Sequence, residues 1–323
     1  MTRMRSVATL AAILAGALAW AGAHGGAEPS GPATVTAVVL GVAQDGGLPH
    51  LGCVRPCCEA ARRDPSRAQR VASLGLVVEA PPGPPALYLL DATPDLRSQV
   101  DTLASIAKSP RPPGLPVDGI FLTHAHVGHY TGLMYLGKES MAARGVPVHA
   151  TPRMIEFLKG SAPWRRLLEW GHIDARPLEM DRAVTLAAGV TVTPLRVPHR
   201  DEDSDTVGFV VAGPSRRLLY VPDTDAWEAW DRDVASLVGG VDVALLDGSF
   251  HGSAEIPGRA MADIPHPMIP ATMQRLERVR EGRRILFIHL NHSNPALSVG
   301  SDERRAVEAR GFEVATDGMR LPL

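Results

Sequence analysis

The chain has 323 residues, 45% hydrophobic and 21% charged, with 33 Lys and Arg against 35 Asp and Glu. Such a composition excludes a disordered or fibrous polymer, and a net charge of −2 without a basic run gives no electrostatic footprint for nucleic acid. A small-molecule substrate is the partner that fits, on a domain long enough to bury a substantial core.

Residues 1–23 open with Arg3 and Arg5, pass through an apolar stretch from Val7 to Trp20, and close on Ala21-Gly22-Ala23. This is the pattern of a cleaved secretory signal peptide. The apolar stretch falls short of the roughly 20 residues a spanning helix needs, and no Cys follows the cleavage site to carry lipid, so no membrane anchor is expected after cleavage. The mature protein is expected to be periplasmic or secreted, with a Gly/Pro linker at 24–33 and a folded domain at 34–323.

Thr34 to Leu40 reads as a buried strand, followed by the Gly-rich loop Ala43-Gln44-Asp45-Gly46-Gly47. Gly46 and Gly47 could offer backbone donors to an anion, although such a pair usually serves a turn. All three cysteines, Cys53, Cys57 and Cys58, follow within six positions. In an oxidising compartment two of them could form a disulfide, or the thiolates, helped by His50, could hold a structural metal.

Further strands are predicted at Ser73–Val78, Ala86–Leu90, Gly119–Thr123, Val190–Val197, Val207–Val211, Arg217–Val221, Val241–Leu246, Arg284–His289 and Phe312–Ala315, all short apolar runs bounded by turn residues. Helical spacing falls at Leu96–Ala107, Tyr130–Ala143, Arg153–Leu158, Pro270–Val279 and Asp302–Ala309, with Ser301 as an N-cap before the last. Trp164–Leu178 fits neither pattern. The alternation argues for mixed sheets covered by helices.

The densest chemistry is Phe121-Leu122-Thr123-His124-Ala125-His126-Val127-Gly128-His129. His124 and His126 share a face of an extended chain, and a turn into a helix near Gly128 brings His129 back toward them. Neutral imidazoles converging at a strand end are what Zn(II) takes as ligands.

This His-x-His-x-x-His stretch resembles the His-x-His-x-Asp-His motif of the metallo-β-lactamase superfamily. Val197-Pro198-His199, Val221-Pro222-Asp223-Thr224, Ile288-His289 and Leu90-Asp91 follow that family's order. The resemblance implies an α/β fold of αββα sandwich type, with two mixed β-sheets flanked by helices. It also implies one Zn(II) held tightly by His124, His126 and His199, and a second held more weakly by His129 and His289. Asp223 would bridge them, and Asp91 would steady the metal loop from behind. Iron and manganese suit the same donors. Gly128 replaces the motif's Asp, so the second position is expected to lack a carboxylate and to be completed by water or by an acid such as Asp225. His292 is the alternative to His289.

Within the superfamily the chain is most similar to the coenzyme PQQ synthesis protein B group, through Gly41 to Gly47, the cysteines, Leu90-Asp91-Ala92-Thr93-Pro94-Asp95 and His289-Leu290-Asn291-His292-Ser293-Asn294-Pro295. That group generally lacks the motif's first two His, which this chain keeps, and spaces its cysteines differently. The implied activity is hydrolysis of an ester, lactone, amide or phosphodiester by metal-bound hydroxide, with Asp223 orienting the water, assisted by His292. His266 is a candidate substrate contact and His251 a weaker one. The alternatives are a non-catalytic periplasmic metal or cofactor carrier, and a metal-dependent oxidoreductase or dioxygenase on the same scaffold.

Overall fold

The computed structural model describes residues 31–255, 258 and 265–323. The signal peptide expected at 1–23 and most of the linker at 24–33 lie outside them.

The strands are β1 (Thr34–Gly41), β2 (Ser73–Glu79), β3 (Ala86–Leu90), β4 (Gly119–Phe121), β5 (Val146–Ala150), β6 (Ile173–Pro177), β7 (Val184–Thr185), β8 (Thr191–Arg196), β9 (Val207–Ala212), β10 (Arg217–Val221), β11 (Val243–Asp247), β12 (Arg284–Ile288), β13 (Glu313–Val314) and β14 (Arg320–Pro322). They form two seven-stranded sheets, ordered β14-β1-β2-β3-β4-β5-β6 and β13-β12-β11-β10-β9-β8-β7. Each sheet is mixed. In the first, β1, β2 and β3 pair antiparallel and β3 to β6 parallel. In the second, β10 to β13 run parallel while β7 to β10 run antiparallel.

Side-chain alternation explains why both faces of these strands are apolar. Val35, Ala37 and Val39 of β1 enter the core between the sheets, together with Val243 and Leu245 of β11. Val38 and Leu40 point the other way, into a helical layer, as Ala244 and Leu246 do on the second sheet. Runs of Val, Leu and Ile without polar interruption are what sheets covered on both faces require.

The first layer contains α2 (Leu96–Ala107), whose Leu96, Gln99, Leu103 and Ala107 are buried at helical spacing, together with α3 (Val127–Tyr130), α4 (Pro152–Gly160) and α5 (Trp164–Glu169). The second contains α6 (Val234–Gly239), α7 (Ile269–Leu276) and α8 (Asp302–Ala309). Ser301 caps α8 by accepting from the Arg304 amide. A short α1 (Pro56–Arg63) carries Cys57 and Cys58.

The predicted strands are all present, and the sequence reading missed β5, β6, β7, β14, α1 and α6. The ambiguous Trp164–Leu178 segment divides into α5 and β6. The helix expected over Tyr130–Ala143 is instead a 3-10 stretch, Thr131–Leu136, followed by turns. Gly132 is the reason: a β-carbon there would lie 2.0 Å from the Thr93 carbonyl oxygen, so the backbone is pressed against the loop after β3. That packing holds the segment after His129 against the loop that carries Asp91.

Candidate metal centre

The candidate residues lie just beyond the C-terminal ends of the strands. Asp91 follows β3, His124 to His129 follow β4, His199 follows β8, Asp223 follows β10 and His289 follows β12, while Asp247 ends β11. Two of these turn the chain through left-handed backbone, Asp91 at φ 71° and His289 at φ 63°. Such a conformation costs about 1 to 3 kcal/mol per non-glycine residue and persists where surrounding contacts dictate it.

Asp223 is the hub. Its Oδ2 lies 3.3 Å from His124 Nε2, 3.9 Å from His126 Nδ1, 3.2 Å from His199 Nε2, and 3.8 Å from both His129 Nε2 and His289 Nε2. His126 Nδ1 and His199 Nε2 are themselves 3.2 Å apart.

Most of these rings are oriented from behind by a partner on the other nitrogen. Thr123 Oγ1 holds His124 Nδ1 at 2.9 Å, Asp91 Oδ2 holds His129 Nδ1 at 2.8 Å and Asp225 Oδ1 holds His199 Nδ1 at 2.9 Å. Glu202 lies 3.3 Å from His126 Nε2, and Ser249 Oγ 3.2 Å from His289 Nδ1. Fixing the distal nitrogen sets which nitrogen presents its lone pair inward.

Burial shifts these groups strongly. It drives the His124 ring well below the ordinary histidine range, aided by the neighbouring His129. Burial opposes charge on His129 too, but the carboxylates of Asp91 and Asp45 outweigh it and raise that ring. For Asp223, burial alone would favour the neutral acid; His289 and His199 reverse this and hold the carboxyl well below its usual range.

Among the described residues, His124 Nε2, His129 Nε2, His289 Nε2, Asp223 Oδ1 and Asp45 Oδ1 are buried with no hydrogen-bond partner. Leaving so many polar atoms unpaired is costly. A divalent cation satisfies inward-facing imidazole nitrogens and carboxylate oxygens together, so the donor set fits a metal.

At the hub the ligand atoms form three groups: His124, His126, His199 and Asp223 in one, Asp45, His129 and His289 in another, and Asp223, Asp247 and His289 in a third that overlaps both. Asp45, which the sequence reading missed as a site residue, stands 3.5 Å from His129 Nε2 and 3.9 Å from His289 Nε2. The expectation that an acid such as Asp225 completes the second position is corrected, because the Asp225 carboxylate is engaged behind His199.

His292 is also corrected as an assistant to Asp223. Its ring sits 4.5 Å from that of His50, and it groups with Cys53 and Cys58. The chain turns through left-handed backbone at His289, and beyond it the Asn294 side-chain NH2 donates to the Gly248 carbonyl.

His266 lies at the hub, its Nδ1 2.8 Å from Asp247 Oδ2 and 3.4 Å from Asp223 Oδ1. Burial works against its charged form, but Asp247 holds its pKa up at about 9. Asp247 is fixed in turn by the amides of Thr224 and Ser249. His251 stands apart, its amide bonded to Glu255 Oε1 at 2.5 Å.

All three cysteines are free thiols. Cys53 and Cys58 come together with His292, while His50, the expected helper, gives only its backbone amide to Cys58 Sγ. Gly46 packs its backbone against the His50 ring and Gly47 turns at φ 65°, so this pair shapes a turn. Burial pushes the Cys58 thiol up to about 12, and a bound cation would reverse that. Cys58→Ala is expected to remove one metal equivalent and lower the Tm while leaving the metal content of the histidine hub intact, as metal analysis and a melting curve would show.

A family model described as "Beta-lactamase superfamily domain" matches residues 87–290. Coenzyme PQQ synthesis protein B of Methylobacterium nodulans is 32% identical over 311 residues, covering 89% of this chain and 99% of its own length. Its counterpart in Rhizobium meliloti is 29% identical over 314 residues, covering 88% and 97%. Among solved structures, Zn(2+)-bound PqqB from Methylobacterium extorquens superposes with a TM-score of 0.74 at 26% identity, covering 89% of this chain and 100% of that one. A diphosphatase from the PhnP family shares the fold at a TM-score of 0.61 and 20% identity, covering 90% of this chain and 97% of that one.

Proposed function

Since the chain belongs to the metallo-β-lactamase superfamily, on the branch of coenzyme PQQ synthesis protein B, we propose that it is an exported metal-dependent hydrolase of an ester, lactone, amide or phosphodiester. The supporting observation is the convergence of His124, His126, His199, His129 and His289 on one carboxylate oxygen of Asp223. The Arg3 and Arg5 start and the apolar run to Trp20 support export.

His124, His126 and His199 would hold one ion and His129 and His289 a second, with Asp223 between them. Zn(II) is the leading candidate, given the nitrogen-rich donors and the Zn(2+)-bound PqqB neighbour. When bound, such an ion polarises a carbonyl or phosphoryl oxygen and lowers the pKa of water to about 7.

The chain's own residues do the rest. Asp223 keeps Oδ1 unpaired and directed toward His266, so it can accept a proton from attacking water and hold it within the site. His266 has Nδ1 committed to Asp247 and no partner on Nε2 among the described residues, leaving Nε2 to deliver a proton to the leaving group. Glu202 beside His126, and Arg200 paired with Glu202, are exposed at the rim, where a polar substrate would meet the hub.

The test is turnover of the Zn-, Fe- or Mn-reconstituted protein on a panel of aryl esters, lactones, amides and phosphodiesters. Chelator-sensitive hydrolysis of at least one class is expected. Ligand retention without turnover, or oxygen consumption in place of hydrolysis, would replace the proposal with a carrier or an oxidoreductase.

His266→Ala is expected to lower kcat by about 10² to 10⁴, the usual contribution of a positioned acid. The loss should shrink for a nitrophenolate leaving group, which departs without a proton. A constant loss across leaving groups would show that His266 does not donate.

A further inference from the structure

Asp45 reaches the centre from a loop with no metal-ligand motif, and three independent features of the fold put it there. The first is its unpaired oxygen. Asp45 Oδ1 is buried without a hydrogen-bond partner, as are the nitrogens it faces, His129 Nε2 and His289 Nε2. Both rings are fully buried. Burial by itself would favour the protonated acid, yet His129 and His289 hold the carboxyl far below its ordinary range.

The second feature is how the loop is fastened. The Gln44 amide donates to the Leu290 carbonyl at 2.9 Å, the Leu290 amide to the Val42 carbonyl at 2.9 Å, and Asn291 Nδ2 to Gln44 Oε1 at 2.6 Å. Residues just after His289 and just ahead of Asp45 are thus stitched together, so the two donors keep a fixed separation.

The third is clearance. A β-carbon at Gly128 would lie 2.1 Å from Asp45 Oδ1 and 2.7 Å from Asp45 Cα. Any side chain at position 128 would occupy the space that the Asp45 carboxylate fills. The glycine that removes a carboxylate from the histidine motif is therefore the residue that admits one from elsewhere.

We propose that Asp45 is the carboxylate ligand of a second divalent cation, shared with His129, His289 and Asp223, and that Gly128 is the gap through which it enters. This replaces the expectation of a second position without a carboxylate. Two imidazoles and two carboxylate oxygens suit Zn(II), Fe(II) or Mn(II), and they give the second position a negative ligand of its own. The inference rests on metal binding at the hub and is independent of which bond the protein hydrolyses.

The experiment counts metal in the full-length mature protein after equilibrium dialysis against Zn(II), and separately against Mn(II) with electron paramagnetic resonance to register paired ions. Asp45→Ala is expected to hold one equivalent fewer than the parent and to lose the signal of spin-coupled manganese. Gly128→Ala, which wedges a methyl group into the Asp45 position, is expected to do the same. The two changes together should remove no more than either alone. Asp45→Asn, close in shape and neutral, is expected to weaken the second equivalent by about 10- to 100-fold or more with an unchanged Tm, which carries the test should Gly128→Ala fold poorly.

An unchanged metal count and coupling in Asp45→Ala would overturn the proposal while leaving a metal centre in place. A parent protein that binds no cation at the hub would overturn the proposal together with the functional reading beneath it.

Discussion

Asp223→Ala should leave a protein with at least one metal equivalent fewer at the hub and turnover reduced by more than about 10³-fold. Removing a single preorganised charge-stabilising group from an active site already costs about 10² to 10³, and Asp223 also faces every imidazole of the hub. Without it the two groups of imidazoles lose the carboxylate they share, and the site loses the oxygen placed to take a proton from water. Asp223→Asn separates the two losses. The amide keeps the shape and one oxygen, so more metal should be retained than in Asp223→Ala while turnover stays low. Metal analysis beside steady-state kinetics is the check, and full occupancy with turnover within tenfold of the parent would contradict the role.

Asp91→Ala should be the most destabilising change near the site. The carboxylate is fully buried and accepts from the Thr123 amide at 2.8 Å, Thr123 Oγ1 at 2.9 Å and His129 Nδ1 at 2.8 Å. Its removal strands buried donors and places alanine at φ 71°, for a loss of about 3 to 5 kcal/mol, the range seen when one partner of a buried pair is deleted. Asp91→Asn should behave differently. Its oxygen can still accept from Thr123, but its NH2 then faces His129 Nδ1. The proton moves to His129 Nε2, the nitrogen aimed at the hub, so metal affinity should fall about 10- to 100-fold with a smaller change in denaturant midpoint. Urea unfolding of the metal-free protein and metal titration of the folded protein measure the two effects. Equal effects of both substitutions on both readouts would refute the tautomer argument.

Strands such as Val241–Leu246 and Arg284–His289 are readable because each is mostly apolar and bounded by polar or turn residues, the second closing on a histidine. That same boundary favoured His289 over His292, and the structure turns the chain at His289. The unreadable parts share one cause: they depend on contacts between distant segments. The helix over Tyr130–Ala143 has suitable spacing, but the approach of Gly132 to Thr93 winds its first half tightly. His292 joins Cys53 and Cys58 across the fold. Asp45 and Gly128 meet only in the folded chain, although the glycine inside the ligand motif already marks a departure in the sequence.

The sheet order ties the centre to the end of the chain. β1, which leads into Asp45, lies between β2 and the last strand of the chain, β14, and its loop is stitched to the residues around His289. The strand that seats Asp45 therefore gains its second neighbour only from the last residues of the sequence. The last strand thus buttresses the seat of Asp45 from the far end of the sequence, and a chain cut before β14 should hold its second cation more weakly than the first.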